Sequence, residues 1–165
     1  MIQKNTNGRA NGVRIRPLTL SDAQDLQRHC FPGESLESVA DYVQRALGYV
    51  ERGRSTHLVA ETGGRAVANA QLLCWRKRAE IGSLVVAEPL RGQGVGSALI
   101  EALSHAAAHM GVEQIEIGAD EDNKSALDLY RHLGFTPYKK VRVPGNGSAY
   151  DRIVYLIKHV PLGDN

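Results

Sequence analysis

The chain has 165 residues, of which 42% are hydrophobic and 23% are charged, and its formal net charge at pH 7 is +2. This length suits one compact domain with a buried core, and so small a net charge does not indicate nucleic-acid binding, which normally needs a strongly basic face. Cys30 and Cys74 lie far apart without a metal-ligand spacing around them, so we predict neither a zinc site nor a disulfide framework and expect a cytoplasmic location.

The first twelve residues are polar and rich in Gly and Asn, and they lack the apolar core of a secretion signal. Nowhere do about 18 apolar residues follow one another, so the sequence predicts no membrane partner. We expect residues 1–12 to form a flexible tail and residues 13–163 to form a single domain.

The first part of the expected domain has the pattern of a strand followed by two helices. Alternating apolar residues over 13–18 indicate a strand, and the Ser/Asp start of 21–30 indicates a helix. From Ser35, apolar residues recur at helical spacing, which predicts a second helix that ends near Gly48 or Gly53. Both helices therefore precede the main run of strands.

The strands that follow have the pattern of hairpins. Gly63 and Gly64 separate two strand-like runs, and glycines tolerate the positive φ angles of a tight turn. A second turn at 76–78 leads into a strand at 79–86, and a PGNG turn separates the last two strand-like runs. The sequence therefore predicts a sheet that is largely antiparallel.

A strand-helix-strand unit interrupts this pattern. Its helix starts at Val95 and ends at Gly111, which occupies the position of a left-handed C-terminal cap. The strand at 114–120 should pair in parallel with the strand at 79–86, through a right-handed crossover. A short helix that Asn123 caps then follows.

The turn into the helix at Val95 is rich in glycine. Gly92, Gly94 and Gly96 alternate beside Arg91 in the stretch EPLRGQGVGSALI. Such a turn exposes backbone N–H groups at the positive end of the helix dipole, where a phosphate group binds well. A lone pair of glycines would more simply serve chain geometry, but three glycines with an adjoining arginine favour an anion site.

Two common phosphate-binding motifs do not fit this turn. A P-loop requires Lys after its last glycine, but Ser97 follows Gly96. A dinucleotide fingerprint requires a third glycine where this chain has Ser97 or Leu99, although Glu116 stands near the distance at which that motif places a ribose ligand. A nicotinamide-dependent oxidoreductase is therefore the weaker alternative.

The pattern that fits is Arg-x-x-Gly-x-Gly, formed by Arg91, Gly94 and Gly96. With it the chain resembles the GNAT superfamily of acyl-CoA-dependent N-acetyltransferases, whose pyrophosphate loop lies between a central strand and a long helix. The stretch AEIGSLVV resembles the family's central strand, and DNKSALDLYRHLGF resembles its N-x-x-A-x-x-L-Y-x-x-x-G-F segment. The resemblance is strongest over 79–135. Over 13–78 the order and length of the expected elements match the family better than the amino-acid identities do.

The resemblance implies an α/β (α+β) fold with a mixed, mostly antiparallel central sheet and helices on both faces. The two parallel strands, here 79–86 and 114–120, would splay apart and admit the pantetheine arm of acetyl-CoA. The resemblance also implies which residues bind this co-substrate. They are Leu84, Val85 and Val86 of the strand, Arg91, Gly92, Gln93, Gly94, Val95, Gly96 and Ser97 of the loop, and Asn123 and Tyr130 of the short helix.

The resemblance further assigns two catalytic roles. Glu80 corresponds to a position from which some members take the amine proton, with a solvated carboxylate at the strand edge as the alternative. Tyr130 would protonate the leaving CoA thiolate, because a phenol with a reference pKa of about 10 stays protonated while a thiol of about 8.5 departs, and core packing is the alternative. Asn123 either contacts the pantetheine arm or only caps its helix.

The expected reaction is transfer of an acetyl group from acetyl-CoA to a primary amine, by direct attack in a ternary complex and without a metal ion. A catalytically idle acyl-CoA-binding module is the alternative. The family's acceptor pocket would involve residues 31–37 and 145–150, where Glu34 and Glu37 could attract a cationic amine. A small molecule or a protein would supply this amine, and the resemblance allows a homodimer.

Overall fold

The structure is a computed structural model that describes residues 9–10, 12–145 and 150–161. Its strands are β1 (Arg9–Ala10), β2 (Val13–Pro17), β3 (Ser55–Thr62), β4 (Arg65–Trp75), β5 (Arg78–Val86), β6 (Gln114–Asp120), β7 (Thr136–Pro144) and β8 (Tyr150–His159). Its helices are α1 (Ala23–His29), α2 (Leu36–Glu51), α3 (Val95–His109) and α4 (Lys124–His132). Short 3-10 turns precede α1 and α3, at Leu20–Asp22 and Glu88–Leu90.

The strands of the described ranges form one sheet in the order β1-β2-β3-β4-β5-β6-β8-β7. Neighbouring strands run antiparallel, except β5 and β6, which run parallel. α3 and α4 pack on one face of the sheet, and α1 and α2 pack on the other. The predicted mixed, mostly antiparallel sheet with helices on both faces is confirmed.

Each face of the sheet has its own apolar cluster. On one face, Leu99 and Leu103 of α3 pack against Ile81 and Ile117 of the central strands, and all four are at most 2% exposed. Leucines four residues apart lie on one side of a helix, which explains why α3 presents them together. On the other face, α1 and α2 pack their apolar sides on β3 and β4. The sheet is therefore rigidly supported from both sides around β4 and β5.

The parallel pair separates part-way along its length. β5 and β6 pair from Arg78 opposite Gln114 to Ile81 opposite Ile117. Beyond these positions β5 continues to Val86 and β6 to Asp120 without pairing to each other. The predicted splay of the two parallel strands is confirmed, and it opens a gap in the middle of the sheet.

The first helix begins differently from the prediction over 21–30. A 3-10 turn occupies Leu20–Asp22, and α1 starts at Ala23. The reason is that the buried Asp22 carboxylate accepts a hydrogen bond from Thr19 N at 2.8 Å and pairs with Arg16 at 2.7 Å. These bonds hold the chain in a tighter turn before the helix begins.

Other boundaries agree to within a few residues. The second hairpin turn consists of residues 76–77, because Arg78 already belongs to β5. Within the segment predicted as a tail, Arg9 and Ala10 pair with β2, whereas residues 1–8 and 11 lie outside the described residues. None of the helices in the described ranges is long and apolar enough to cross a membrane.

Candidate active site

The glycine-rich turn leads directly into α3, as the sequence predicts. Gly92 has φ +73°, and Gly94, the N-cap of α3, has φ +84°. Residues with a Cβ rarely adopt such angles, so the chain itself requires these two glycines. The turn thereby fixes the direction in which the first amides of α3 point.

The first turn of α3 leaves amides without helical acceptors. Ala98 N donates to Gly94 O at 3.0 Å, so the N–H groups of Val95, Gly96 and Ser97 have no helical carbonyl one turn earlier. α3 is 15 residues long and has no acidic side chain in its first turn. Nothing in this turn therefore offsets the positive end of the helix dipole, and phosphate oxygens would bind well there.

Gly96 differs from the two glycines before it, because neither its φ angle nor packing requires glycine. A Cβ at this position would meet nothing closer than Val86 Cγ2, at 3.9 Å. The missing side chain leaves a shallow cradle between the start of α3 and the end of β5. A phosphate group that accepts these amide hydrogens must approach the backbone closely, and the absence of a side chain at Gly96 allows this approach.

Two side chains of the loop are held against its backbone. Arg91 Nε donates to Val86 O at 3.1 Å, and Gln93 Nε2 donates to Pro89 O at 3.0 Å. The first bond connects the loop to the end of β5. Arg91 is exposed at the mouth of the cradle, where its positive charge adds to that of the helix terminus.

The end of β5 presents backbone groups to the gap between β5 and β6. Ala87 N donates to Val67 O of β4 at 2.8 Å, and Val85 pairs with the same strand. Because backbone groups alternate in direction along a strand, those of Val86 and the carbonyl of Leu84 point away from β4. Of the three predicted backbone donors, the amide of Val86 therefore faces the gap and that of Val85 faces β4, whereas the amide of Leu84 lies in a bulge, where regular alternation does not hold.

A β-bulge lies just before this point of β5. Ser83 and Leu84 together lie opposite a single residue of β4. Ser83 has φ +52°, which is uncommon for a residue with a Cβ. Bulges bend a strand and end its regular pairing, so this one marks the place where β5 turns away from β6.

Tyr130 and Asn123 both belong to the α4 region. Tyr130 is 6% exposed, its ring centroid lies 6.4 Å from that of Phe135, and burial raises the pKa of its phenol. No group in the described part of the chain hydrogen-bonds to its hydroxyl. Asn123 accepts a hydrogen bond from Ala126 N at 3.1 Å and so caps α4, while its contact with pantetheine stays a prediction.

Glu80 lies on the opposite side of the sheet from Tyr130. Its neighbours Ala79 and Ile81 belong to the cluster under α3, so strand alternation directs Glu80 to the side of α1 and α2. Burial, and next the negative charge of Glu116, raise the pKa of the half-buried Glu80 carboxyl. A carboxylate with a raised pKa is a better proton acceptor near neutral pH.

A cavity of about 340 Å³ lies on this same side, between α2 and the end of β5. Its lining includes Phe31, Glu34, Tyr42 and Arg45 from the helical side and Ser83 and Val85 from β5. Phe31 and Glu34 belong to the segment 31–37 predicted to shape an acceptor pocket, whereas Glu37 does not line the cavity. Of the second predicted segment, residues 146–149 lie outside the described residues.

These parts share the end of β5. The start of α3 lies next to Val86, and Ser83 and Val85 of the same strand line the cavity. Glu80 lies in the paired part of β5, one residue before its last pair with β6, and Tyr130 lies on the other face of the sheet. In the described ranges, no cluster of three or more His, Cys, Asp or Glu side chains could hold a metal ion.

A model of the acetyltransferase (GNAT) family matches residues 20–135. The chain belongs to this family. The match contains the glycine-rich loop, the splayed strands and α4, so the predicted membership is confirmed. Fold and family agree with one another, since the matched segment includes every element that borders the gap.

Relatives of this GNAT chain include two N-terminal acetyltransferases. It is 39% identical over 64 residues to N-alpha-acetyltransferase MAK3 of Arabidopsis thaliana, covering 39% of this chain and 34% of that protein. It is 32% identical over 80 residues to N-alpha-acetyltransferase 30 of Schizosaccharomyces pombe, covering 47% and 53%. The chain thus spans about a third to a half of the length of these curated relatives.

Solved structures show the same fold. A ribosomal L7/L12 alpha-N-protein acetyltransferase in complex with coenzyme A matches this GNAT chain with a TM-score of 0.82 and 17% identity, over 94% of this chain and 98% of that one. At this identity the likeness shows the architecture alone.

Sequence reasoning missed three residues beside the gap, Tyr42, Asn69 and Ser83. Asn69 left a visible signal, because it is a polar residue inside the apolar run RAVANAQLLCW. Ser83 left none, since a positive φ angle is usually marked by glycine and Gly82 precedes it. Tyr42 could not be recognised because its spacing follows the apolar periodicity of α2, which predicts only a core residue.

Proposed function

We propose that this chain transfers the acetyl group of acetyl-CoA to the α-amino group of a polypeptide. The observation that carries the proposal is the gap between β5 and β6, which opens beside the free amides of α3. A structural neighbour is bound to coenzyme A, and two relatives are named N-alpha-acetyltransferases. The bound coenzyme A of the neighbour supports acetyl-CoA as the donor, and the names of the two relatives support an α-amino group as the acceptor.

Backbone groups would bind the donor. The amides of Gly94, Val95, Gly96 and Ser97 would hold the pyrophosphate, because they meet the positive end of a helix with no acidic side chain in its first turn. The pantetheine arm would then run into the gap, where the backbone of Leu84 and Val86 lacks a partner on β6. The thioester carbonyl would accept a hydrogen bond from Leu84 N–H.

The reaction would be a direct attack. The amine nitrogen adds to the thioester carbonyl carbon, the new C–N bond forms, and the C–S bond breaks. Leu84 N–H stabilises the negative oxygen of the tetrahedral intermediate, and one such donor is worth about 3–4 kcal/mol in other enzymes. Glu80 accepts the proton of the amine, and Tyr130 donates a proton to the departing thiolate sulfur.

An α-amino group suits this site better than a lysine side chain does. Its reference pKa is about 8, so about one molecule in ten is neutral at pH 7, against fewer than about one in a thousand for lysine at about 10.4. The proton that Glu80 must remove is therefore held less tightly. The cavity on the Glu80 side provides room for the first side chain of such a polypeptide.

Three matched acceptors test the proposal. One peptide has a free N-terminus and an internal lysine, the second is the same peptide with a blocked N-terminus, and the third is a small polyamine. With acetyl-CoA, we expect release of CoA thiol and a mass gain of one acetyl group for the first peptide only. Turnover with the blocked peptide or with the polyamine would contradict the α-amino group as the acceptor, and would indicate a lysine side chain or a small amine, respectively. Acetyl-CoA binding without turnover on any amine would favour the idle binding module.

A further inference from the structure

A buried polar cluster lies directly behind the bulge of β5. It consists of Tyr42 from α2, His57 from β3 and Asn69 from β4. Asn69 is 0% exposed and His57 is 2% exposed. Burying amide and imidazole groups is costly unless they make defined hydrogen bonds, so the orientation of each group can be worked out from its partners.

The orientation of the Asn69 amide is fixed by Ser83. Asn69 Nδ2 lies 2.9 Å from Ser83 O, and a carbonyl oxygen can only accept. The nitrogen of the side chain, and not its oxygen, must therefore face the bulge. Its second hydrogen is directed to Tyr42 Oη at 3.1 Å and His57 Nε2 at 3.2 Å.

His57 completes the cluster as a hydrogen-bond acceptor. A proton on Nε2 would point at the Asn69 NH₂ group, where two donors would repel, so Nε2 must be unprotonated. Burial lowers the pKa of His57 to about 4, which agrees with a neutral ring at physiological pH. Tyr42 Oη lies 3.4 Å from the same nitrogen and can donate to it. The imidazole of His57 thus helps to orient the side chains of both Asn69 and Tyr42.

The peptide bond between Ser83 and Leu84 depends on this cluster. Both residues lie opposite Ala70, so the regular ladder between β4 and β5 does not define the orientation of their shared peptide. Beyond Ile81, β5 makes no pair with β6 either. The hydrogen bond from Asn69 to Ser83 O therefore takes the place of a ladder bond at this point.

A trans peptide group has its C=O and N–H pointing in opposite directions. When Asn69 holds the Ser83 carbonyl on the side of α2, the Leu84 N–H must point away from α2, into the gap. We propose that Asn69 is a positioning residue that aims the Leu84 amide at the carbonyl oxygen of the bound thioester. This inference rests on the proposed function, in which Leu84 N–H stabilises the developing oxyanion.

The cluster lowers the stability of the fold, so its presence is not explained by a contribution to stability. Asn69 Oδ1 and His57 Nδ1 are buried without a hydrogen-bond partner among the described residues. Each unsatisfied buried polar atom destabilises a fold by about 1–3 kcal/mol, and an apolar residue at position 69 would avoid this. The strained φ angle of Ser83 adds to the cost. Such costs cluster where backbone geometry serves the reaction.

Kinetics provide the first test. Asn69→Leu removes the donor and keeps the branching and the number of side-chain heavy atoms, and Asn69→Asp places oxygen against Ser83 O as a second variant. For both we expect kcat to fall about 10- to 100-fold, while the Kd for acetyl-CoA changes by less than about 3-fold, because a misplaced donor affects the transition state more than the ground state. Ile15→Val on β2 is the control for a small loss of core packing and should keep wild-type kcat.

The Leu84 amide itself provides the second test. In the wild type, its proton resonance should shift downfield with acetyl-CoA compared with CoA, because only the thioester offers a carbonyl oxygen there. In Asn69→Leu this difference should disappear, while the resonances of Gly94 and Gly96 still respond to either ligand. The loop signals show that the variant is folded and binds.

The outcomes separate the two ideas. If Leu84 shows no difference between acetyl-CoA and CoA in the wild type, the oxyanion role in the proposed function is wrong. If the wild type shows the difference and both Asn69 variants keep it, the positioning role of Asn69 is wrong, whatever their kcat. Loss of the difference together with the fall in kcat supports it.

Discussion

Glu80 of β5 lies directly opposite Glu116 of β6 in the parallel pair, one position before the strands separate. Glu116 has partners of its own, since Tyr138 donates a hydrogen bond to its carboxylate and Lys139 Nζ lies 3.5 Å away. No donor in the described ranges hydrogen-bonds to Glu80. Two like charges in adjacent strands repel, so the charge of Glu116 adds to the effect of burial and raises the pKa of Glu80.

Glu80→Gln should remove the proton acceptor for the amine. We expect kcat/KM to fall by about 10² to 10⁴, the range typical of general base catalysis. The acidic limb of the pH profile should disappear, because no carboxylate has to ionise in the variant. Binding of acetyl-CoA, measured by calorimetry, should remain at the wild-type level. A pH profile with an unchanged acidic limb would show that another group accepts the proton.

Glu116→Gln should move the acidic limb without abolishing the reaction. The charge of Glu116 raises the pKa of Glu80, after the larger effect of burial, and Lys139 lowers it. Without the charge of Glu116, the positive charge of Lys139 still lowers the pKa of Glu80. The pKa of Glu80 should therefore fall, and the acidic limb should shift to lower pH. The profile of kcat/KM against pH measures the shift. If the limb stays at the same pH, the charge of Glu116 does not influence the ionisation that controls the rate.

Gly94→Glu should abolish acetyl-CoA binding while the protein stays folded. The new carboxylate would lie on the loop that we propose to bind the pyrophosphate, and two negative charges would repel each other there. Gly64→Glu in the β3–β4 turn is a matched control, because Gly64 has φ +75° and Gly94 has φ +84°. Both variants should lose about 1–2 kcal/mol of stability from left-handed strain, but only Gly94→Glu should lose affinity in a calorimetric titration. Equal affinities would mean that the loop is only a turn.

His57 should make the protein less stable as the pH falls. Burial lowers its pKa to about 4 in the folded chain, whereas an unfolded histidine titrates near about 6.5. Between these values the unfolded state binds more protons, so the free energy of unfolding declines by about 1.4 kcal/mol per pH unit. The contribution is complete above the unfolded pKa and is lost progressively as the pH approaches the folded value.

Urea unfolding at a series of pH values measures this slope. His57→Gln removes the titrating ring and should flatten the dependence between about pH 6.5 and pH 4. His105→Gln, at an exposed position on α3, is the matched control for the loss of one imidazole. A slope that is the same in wild type and His57→Gln would contradict a neutral, buried His57.

The sequence predicted the parts of the site that follow from local spacing. Alternating glycines before an apolar helical stripe predicted the loop at Gly94, and two strand patterns around one helix predicted the parallel pair. The bulge could not be predicted, because the hydrogen bond that Ser83 O accepts there comes from Asn69, a residue 14 positions away in the sequence. On α4, the helical spacing of Ala126, Leu129, Tyr130 and Leu133 predicts the side that packs on the core, but it does not include Leu127, which is buried as well.

Tyr130→Phe should separate chemistry from packing. The change deletes one oxygen that has no hydrogen-bond partner among the described residues and keeps the ring next to Phe135, so the free energy of unfolding should change by less than about 1 kcal/mol. Because burial raises the pKa of the phenol, Tyr130 is fully protonated before the reaction and can donate to the emerging thiolate. Without this donor, kcat should fall by about 10² to 10⁴ if acyl transfer limits the rate.

Release of CoA thiol with a reactive amine, together with a binding titration, distinguishes these effects. Acetyl-CoA affinity should stay near wild type, because the thioester sulfur is a weak acceptor and the amides of the α3 loop contribute most of the binding. Tyr49→Phe, an exposed position on α2, is the control for loss of a phenol elsewhere. Full activity of Tyr130→Phe with intact binding would show that Tyr130 only packs against Phe135, and the thiolate would then have to take its proton from water.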